Sequence, residues 1–278
     1  MPLAAPNSSN PATRDNQEQE LWRIDYADIG YPDVGFSTHI RGWIKSYLEP
    51  QDYADGCIIL APPPAIDSAA WQHDLASLSE YRKLHPTPRG QQALDDAQLD
   101  FAHIGRAFSS VIGVEISREH TPHLHLLLHR LLTDAACAAC SAKQYFQRSR
   151  PKKPTSASAA SLHLTDGSYP SGHAVTGLLW AMALTAMLPQ QATAIMQRGI
   201  EFGRSRLICV MHWESDILAG QLIAAAAFAR LQACREYQRH WGEAQNELAN
   251  ILSQSKAPSL TTRSVSPPSS TPCGIKTR

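Results

Sequence analysis

The stretch TPHLHLLLHRLLTDAACAACSAKQYF, residues 121–146, sets the fold class. Thr121 is a residue type that caps helices, and Pro122 suits the first helical position. The residues that follow have helical periodicity and become alanine-rich toward Cys140. We therefore predict one long helix that opens at Thr121-Pro122 and runs to about Phe146.

The same periodicity recurs through the middle of the chain. It predicts further helices at residues 67–84, 93–112, 173–188 and from 214 to about 248. Strand signals, meaning period-two alternation between turn residues, are nearly absent. The sequence therefore predicts an all-α protein with a single helical-bundle domain.

Composition shifts mark the ends of that domain. Residues 1–19 are rich in Pro, Ser and Asn, and residues 251–278 are rich in Ser, Thr and Pro, so both are predicted to be disordered. Residues 20–54 form an N-terminal extension that contains aromatic side chains. The helical domain is placed at residues 55–250.

The overall charge excludes several classes of partner. The chain has 25 basic and 25 acidic residues, so no net field attracts nucleic acid or an anionic membrane. The longest apolar runs, 174–188 and 217–229, are shorter than the roughly 20 residues of a bilayer span. We expect a protein that does not span membranes, and any affinity for anions must come from a local cluster of cations.

The segment Pro170-Ser171-Gly172-His173 leads from a loop into an apolar helix. Unpaired N–H groups and the positive end of the helix dipole favour an anion at such a terminus. Gly172 lets an oxyanion approach the backbone closely, and His173 would point at the same place. The alternative is an ordinary helix capped by Ser171.

His212 and Asp216 are four residues apart, so on a helix they would share one face. The carboxylate would fix the tautomer of the ring and leave the other nitrogen free to attack. Arg206, just upstream, offers a forked pair of donors to an oxyanion. The alternative is a surface His–Asp pair.

Lys143 and Arg150 supply two more cations, and Pro151 restricts Arg150 to an extended conformation. They converge only if the helix breaks between them. Arg148, Lys152 and Lys153 make this stretch basic in any case, so a solvated basic turn is the alternative.

In this order, the three segments resemble the signature of the type 2 phosphatidic acid phosphatase superfamily. That signature reads Lys-x6-Arg-Pro, Pro-Ser-Gly-His and Ser-Arg-x5-His-x3-Asp. The run Gly-Ser-Tyr-Pro-Ser-Gly-His at 167–173 is similar to the bacterial class A non-specific acid phosphatases in particular. So are Leu-Ala-Pro-Pro-Pro-Ala-Ile-Asp at 60–67 and Ser-Ala-Lys at 141–143.

The resemblance implies a role for each matching residue. His212 would be the nucleophile that forms a phosphohistidine, Asp216 would orient it, and His173 would protonate the leaving group. The phosphoryl oxygens would be held by Lys143, Arg150, Ser171, Gly172 and Arg206.

The resemblance also implies small phosphomonoester substrates, an acidic optimum, and no cofactor or metal. Relatives look periplasmic or secreted. We see no signal peptide in residues 1–20, which leaves a cytoplasmic location open. A homodimer is compatible with the pattern.

One position departs from the family, because Lys152 stands where an aromatic residue usually follows Arg-Pro.

The sequence contains two further patterns of histidine or cysteine, and neither is expected to form a functional site. His123, His125 and His129 are expected to form a polar helix face rather than a metal site. Cys137 and Cys140 are expected to be a packed pair.

Three rival functions remain. A vanadium-dependent haloperoxidase would use the same oxyanion site. A lipid phosphatase would need membrane spans, and the sequence predicts none. A non-enzymatic anion-binding module would require a damaged nucleophile, whereas His212 and Asp216 are both intact.

Overall fold

The computed structural model of the chain describes residues 44–151 and 167–256. Within these ranges it contains nine α-helices and no strand, so the predicted all-α fold class is confirmed there. The helices are α1 Gly56–Ile59, α2 Ala69–Arg82, α3 Pro88–Asp95, α4 Phe101–Ile112, α5 Pro122–Phe146, α6 Gly172–Met187, α7 Ala192–Ile208, α8 Glu214–Leu231 and α9 Arg235–Lys256. Short 3₁₀ turns lie at Pro50–Asp52 and Pro189–Gln191.

The predicted disorder of residues 1–19 concerns residues outside the described ranges. The same holds for the predicted C-terminal tail beyond residue 256. The first residues of that predicted tail, 251–256, belong to α9, which continues to Lys256.

The long helix α5 begins and ends where the sequence predicts. Its N-terminus is capped differently, however, because the Thr121 hydroxyl donates to the carbonyls of Glu115 and Ser117 instead. The carboxylate of Glu247 on α9 accepts the N–H groups of His123 at 3.2 Å and Leu124 at 2.9 Å. A distant acidic side chain therefore satisfies the first turn, where negative charge is favoured.

Two other helix predictions need correction, and one helix was not predicted. The segment 93–112 is two helices, and the second begins where the Asp100 carboxylate accepts the N–H of His103 at 3.0 Å. The segment 214–248 is also two helices, α8 and α9, which are bent by 95°. Helix α7 was not predicted at all, because Gly199 and Gly203 lower its intrinsic helix propensity.

Helix α6 lies at the centre and packs against α5, α7 and α8. It crosses α7 at a pair of glycines, where a Cβ on Gly199 would lie 2.5 Å from the Gly177 carbonyl oxygen. A Cβ on Gly220 of α8 would lie 2.6 Å from the Ser171 carbonyl oxygen, just before α6 begins. These contacts need the absence of a side chain, and they bring α7 and α8 against the N-terminal half of α6.

Residues 44–53 of the predicted N-terminal extension pack on α5. The fully buried Asp134 carboxylate accepts the backbone N–H groups of Tyr47 and Leu48 and the hydroxyl of Tyr53, the last at 2.6 Å. The guanidinium of Arg130 donates to the carbonyls of Lys45 and Ser46. Polar anchors thus replace regular secondary structure in holding this segment.

In the part of the chain that the structure describes, no single helix combines the length and apolar composition needed to cross a membrane. Helices α8 and α9 reach that threshold only when they are taken together across their bend.

Candidate active site

His212 and Asp216 are in contact, although not through a shared helix face as predicted. Helix α8 begins at Glu214, so His212 precedes it and Trp213 occupies the cap position. The Oδ2 atom of Asp216 accepts the Trp213 N–H at 2.9 Å and lies 3.2 Å from Nδ1 of His212. The carboxylate therefore caps its own helix and holds the preceding histidine with one oxygen.

The tautomer of His212 follows from its two partners. Asp216 is unable to donate when ionised, so Nδ1 carries the proton. The guanidinium of Arg150 only donates, and its NH1 lies 3.0 Å from Nε2 of His212. The lone pair of Nε2 therefore points toward Arg150, which also donates to the Met211 carbonyl at 3.1 Å.

A tight turn connects Arg206, near the end of α7, to His212. The N–H of Met211 donates to the Arg206 carbonyl at 2.9 Å, and Val210 between them has a φ of 57°. A β-branched residue rarely adopts this left-handed conformation, so the turn stores strain. Such strain is common at functional sites and here sets the path from the cation to the histidine.

Arg206 is buried, with a relative exposure of 3%. Its Nε and NH1 atoms have no hydrogen-bond acceptor among residues 44–151 and 167–256. The pKa of this guanidinium is lowered mainly by burial and further by the positive charge of the nearby Arg150. Buried donors require partners, and an anion is the ligand that suits two unmatched donors on a cation.

Behind Arg206, a polar cluster ties α7 to the end of α3. The hydroxyl of Ser205 donates to Asp96 Oδ2 at 2.6 Å, and Arg198 donates to both oxygens of the same carboxylate. Asp96 is the residue at which α3 ends, and its carboxylate bonds side chains of α7. This contact explains why segment 93–112 is interrupted. The next carbonyl, that of Ala97, is thus placed beside His173.

His173 lies in the first turn of α6 and is 4% exposed. Its Nε2 is 3.4 Å from the Ala97 carbonyl oxygen, and its ring stacks on Phe202 with centroids 5.7 Å apart. Burial lowers the pKa of His173 well below its usual value, and the positive charges of Arg206 and Arg150 lower it further. A bound anion would oppose this effect by neutralising those charges.

The N-terminus of α6 forms next to this histidine, and Ser171 is its cap. The Ser171 hydroxyl accepts the Ala174 N–H at 3.4 Å, and the Ser171 N–H donates to the Asp216 carbonyl at 2.9 Å. The N–H groups of Gly172 and His173 belong to the first turn and have no acceptor within the helix. They point along the helix axis, as in an anion-binding terminus.

Lys143 and Arg150 lie on opposite sides of a helix break, as their predicted convergence requires. The break comes earlier than Pro151, because α5 ends at Phe146 and Gln147 takes a left-handed φ of 42°. Lys143 is buried and donates to the Gly167 carbonyl at 2.8 Å. It lies close enough to Asp216 to lower the pKa of that carboxyl, while Arg150 reaches His212 directly.

The residues of the three segments are thus brought to one location. Three further residues at this location were not predicted, namely Arg148, Asp74 and Ser215. Arg148 was assigned to a solvated basic stretch, yet its side chain is only 7% exposed. It donates to Asp216 Oδ1 at 2.7 Å, to Asp74 Oδ2 at 2.7 Å and to the Ser215 hydroxyl at 2.6 Å. No pattern identified this contact, although Arg148 alternates with Arg150 in an extended segment.

The histidine cluster on α5 is only partly a polar face. His129 is buried, and the rings of His125 and His129 pack against Phe101 at 4.0 and 4.9 Å. Among the described residues, no group of three or more His, Cys, Asp or Glu side chains could hold a metal ion. The segment from Lys152 to residue 166 lies outside the described ranges.

The chain is similar to known proteins over most of its length. Residues 123–240 match the PAP2 superfamily. The chain is 34% identical over 226 residues to the non-specific acid phosphatase of Salmonella typhimurium, an alignment that covers 78% of this chain and 90% of the relative. It is 35% identical over 211 residues to that of Providencia stuartii, covering 74% and 85%. It is 31% identical over 211 residues to the acid phosphatase of Zymomonas mobilis, covering 74% and 80%.

Proposed function

Because this chain belongs to the PAP2 superfamily and is an acid phosphatase within it, we propose that it hydrolyses phosphate monoesters through a covalent phosphohistidine on His212. One observation carries the proposal. Nε2 of His212 is held unprotonated, with Asp216 on the opposite nitrogen and the cation Arg150 in front of the lone pair. A phosphoryl group would be attacked from this position.

In the first step, the phosphate dianion takes Arg150 away from Nε2 and occupies the donors of Arg206. Nε2 then forms a bond to phosphorus while the bond to the ester oxygen breaks. His173 gives its proton to that oxygen, so the leaving group departs as an alcohol. Asp216 stabilises the positive charge that develops on His212.

In the second step, water attacks phosphorus and the P–N bond breaks. His173, now neutral, accepts a proton from the water, and inorganic phosphate is released with His212 restored. The same histidine thus acts as acid and then as base.

The cations carry most of the catalytic work in this proposal. Phosphoryl transfer depends on positioning and on stabilising charge over the equatorial oxygens. Lys143, Arg150 and Arg206, with the Gly172 N–H at the start of α6, supply that stabilisation from protein groups alone. We therefore propose catalysis that needs no metal or cofactor.

An acidic optimum follows from the environment of His173. In the free protein, burial and neighbouring cations keep its pKa low. A bound phosphate reverses the local charge and favours the protonated ring that the leaving group requires. Activity is then lost as the pH rises through the pKa of His173 in the substrate complex.

The test is a phosphatase assay with p-nitrophenyl phosphate across pH, with and without EDTA. We expect full activity in EDTA and none above background in His212→Ala. Rapid acid-free quenching should trap an alkali-stable, acid-labile phosphoprotein in the wild type only. Turnover by His212→Ala at the wild-type rate would reject the mechanism.

The haloperoxidase alternative shares the oxyanion site, but no feature of the described residues favours it over phosphate hydrolysis. Added vanadate with peroxide and bromide tests it directly. Delivery to the periplasm and a homodimer stay predictions carried by the family resemblance.

A further inference from the structure

We propose that Arg148 is a positioning residue of this reaction, acting through Asp216 to keep His212 aligned for attack. This inference rests on the proposed function of His212. It assigns a role to a side chain that touches neither the nucleophile nor the phosphate-binding groups of the proposed mechanism.

The two oxygens of Asp216 are divided between two tasks. Oδ2 holds Nδ1 of His212 and the N–H of Trp213, while Oδ1 accepts NH1 of Arg148 at 2.7 Å. Because donors engage both oxygens, the carboxylate is unable to rotate without breaking a bond. Arg148 thereby fixes the oxygen that faces His212.

Arg148 is itself held in place by helix α2. Its NH2 donates to Asp74 Oδ2 at 2.7 Å, and Asp74 is buried. The guanidinium carbon lies 5.7 Å from the ring centroid of Trp71 and 5.4 Å from that of Trp213. Cation–π contacts and a charge-assisted bond fix the planar fork before substrate arrives.

Charge is the second part of the role. Asp216 is fully buried, and burial raises its pKa, while the adjacent Arg148 is the strongest influence in the opposite direction. An ionised carboxylate is needed to accept the hydrogen bond from the Nδ1–H group of His212 and to balance the positive charge of the phosphohistidine ring. Arg148 favours that ionised form.

Several other charged or titratable groups face this carboxylate from the surrounding elements. They are His212 before α8, Lys143 on α5 and Tyr169 in the loop before α6, while Arg150 and His173 lie near His212 instead. Each touches the proposed phosphate site or is a neutral phenol. Among the described residues, Arg148 is the cation that bonds Asp216 directly.

Asp74 allows a second substitution, which should shift the pH profile in the direction opposite to that expected for loss of Arg148. It balances the charge of Arg148 and accepts the N–H of Ser215 at 2.9 Å and its hydroxyl at 2.6 Å. Without Asp74, the full positive charge of Arg148 acts on the His212–Asp216 pair. Without Arg148, that pair loses its nearest cation.

The experiment compares Arg148→Met, Arg148→Lys and Asp74→Asn with the wild type in kcat and kcat/KM against pH. We expect kcat of Arg148→Met to fall about 100-fold, the cost of a misplaced reacting group, with a small change in KM. The acid limb of kcat/KM should move to higher pH in Arg148→Met and to lower pH in Asp74→Asn. Added guanidinium should restore part of the activity of Arg148→Met.

Arg130→Met is the matched control, because Arg130 is also a buried arginine bonded to a carboxylate, Glu236 at 2.6 Å, but its partners belong to α9 and to the segment before α1. It should lower the melting temperature and leave the pH profile unmoved. If Arg148→Met fails to fold, the downward shift of the acid limb in Asp74→Asn decides. Arg148→Lys, which keeps the charge but loses the planar fork, should then lower kcat without moving the acid limb.

An unmoved acid limb in folded Arg148→Met would overturn the proposal, as would shifts of the same sign in Arg148→Met and Asp74→Asn. These outcomes are separable from failure of the proposed function. If His212→Ala is inactive while Arg148→Met keeps the wild-type kcat and pH profile, the nucleophile stands and only the positioning role falls.

Discussion

Asp216 holds His212 from inside a helix that His212 does not belong to. The carboxylate caps α8 at Trp213 and, with the same oxygen, lies 3.2 Å from the histidine ring. Helix initiation and orientation of the proposed nucleophile therefore depend on one side chain. Any change that removes the cap also releases the ring.

Asp216→Asn tests this coupling. The amide oxygen would face Arg148, which leaves the amide nitrogen to donate toward Nδ1 of His212. The ring would then carry its proton on Nε2 and lose the lone pair that attacks. We expect kcat to fall on the order of 10³- to 10⁴-fold, as when the orienting Asp of a serine protease is replaced. Steady-state assays measure it, and retention of a tenth of the activity would contradict the assignment.

His173→Ala should separate substrates by their leaving groups. An alkoxide needs the proton of a general acid, whereas p-nitrophenolate leaves readily without one. We expect turnover of an alkyl phosphate to fall about 10²- to 10⁴-fold and that of p-nitrophenyl phosphate by about tenfold or less. Equal losses on both substrates would show that His173 has a binding role instead.

His240 should make the protein less stable in acid. Its Nε2 accepts from Arg239 at 2.7 Å and its Nδ1 bonds the Tyr47 hydroxyl at 2.8 Å, which suits the neutral ring. Burial lowers its pKa to about 4. Because the unfolded pKa is higher, stability is complete above about pH 6.5 and is lost as the pH falls toward 4.

His240→Gln keeps one acceptor and one donor but does not titrate. Urea unfolding at pH 7.5 and pH 5 should show that the wild type loses about 2 kcal/mol more than the variant between these values. Parallel losses in both proteins would exclude His240 as the cause.

Gly220→Ala should impair both stability and activity. Its Cβ would lie 2.6 Å from the Ser171 carbonyl oxygen and 2.9 Å from the Ala174 Cβ, so α8 must move away from the N-terminus of α6. We expect a loss of about 1–3 kcal/mol in the free energy of unfolding and a lower kcat.

Gly242→Ala in α9 is the control, since a Cβ there meets nothing within 4 Å. It should stabilise the protein by about 0.5–1 kcal/mol and leave kcat unchanged. A Gly220→Ala protein with wild-type kcat would show that the spacing of α6 and α8 does not control the site.

The sequence by itself determined the all-α class, the bounds of α5 and the order of the three segments. These depend on local chemistry: helical periodicity, a proline at the first helical position, and residue types with a limited range of roles. The resemblance to acid phosphatases depends on the same local segments, and the comparison with curated relatives agrees.

Only the tertiary structure decided what the basic stretch before Pro151 does. Arg148 and Arg150 are two residues apart and alike in sequence, yet one bonds Asp216 and the other His212. Their partners come from α2 and from the start of α8, which no local pattern connects. Helix α7 was hidden for a related reason, since the glycines that weaken it locally are the ones that let α6 pack closely. Burial and long-range contacts override the local sequence pattern at these positions, because the effect of a charge or a glycine depends on the residues that pack against it.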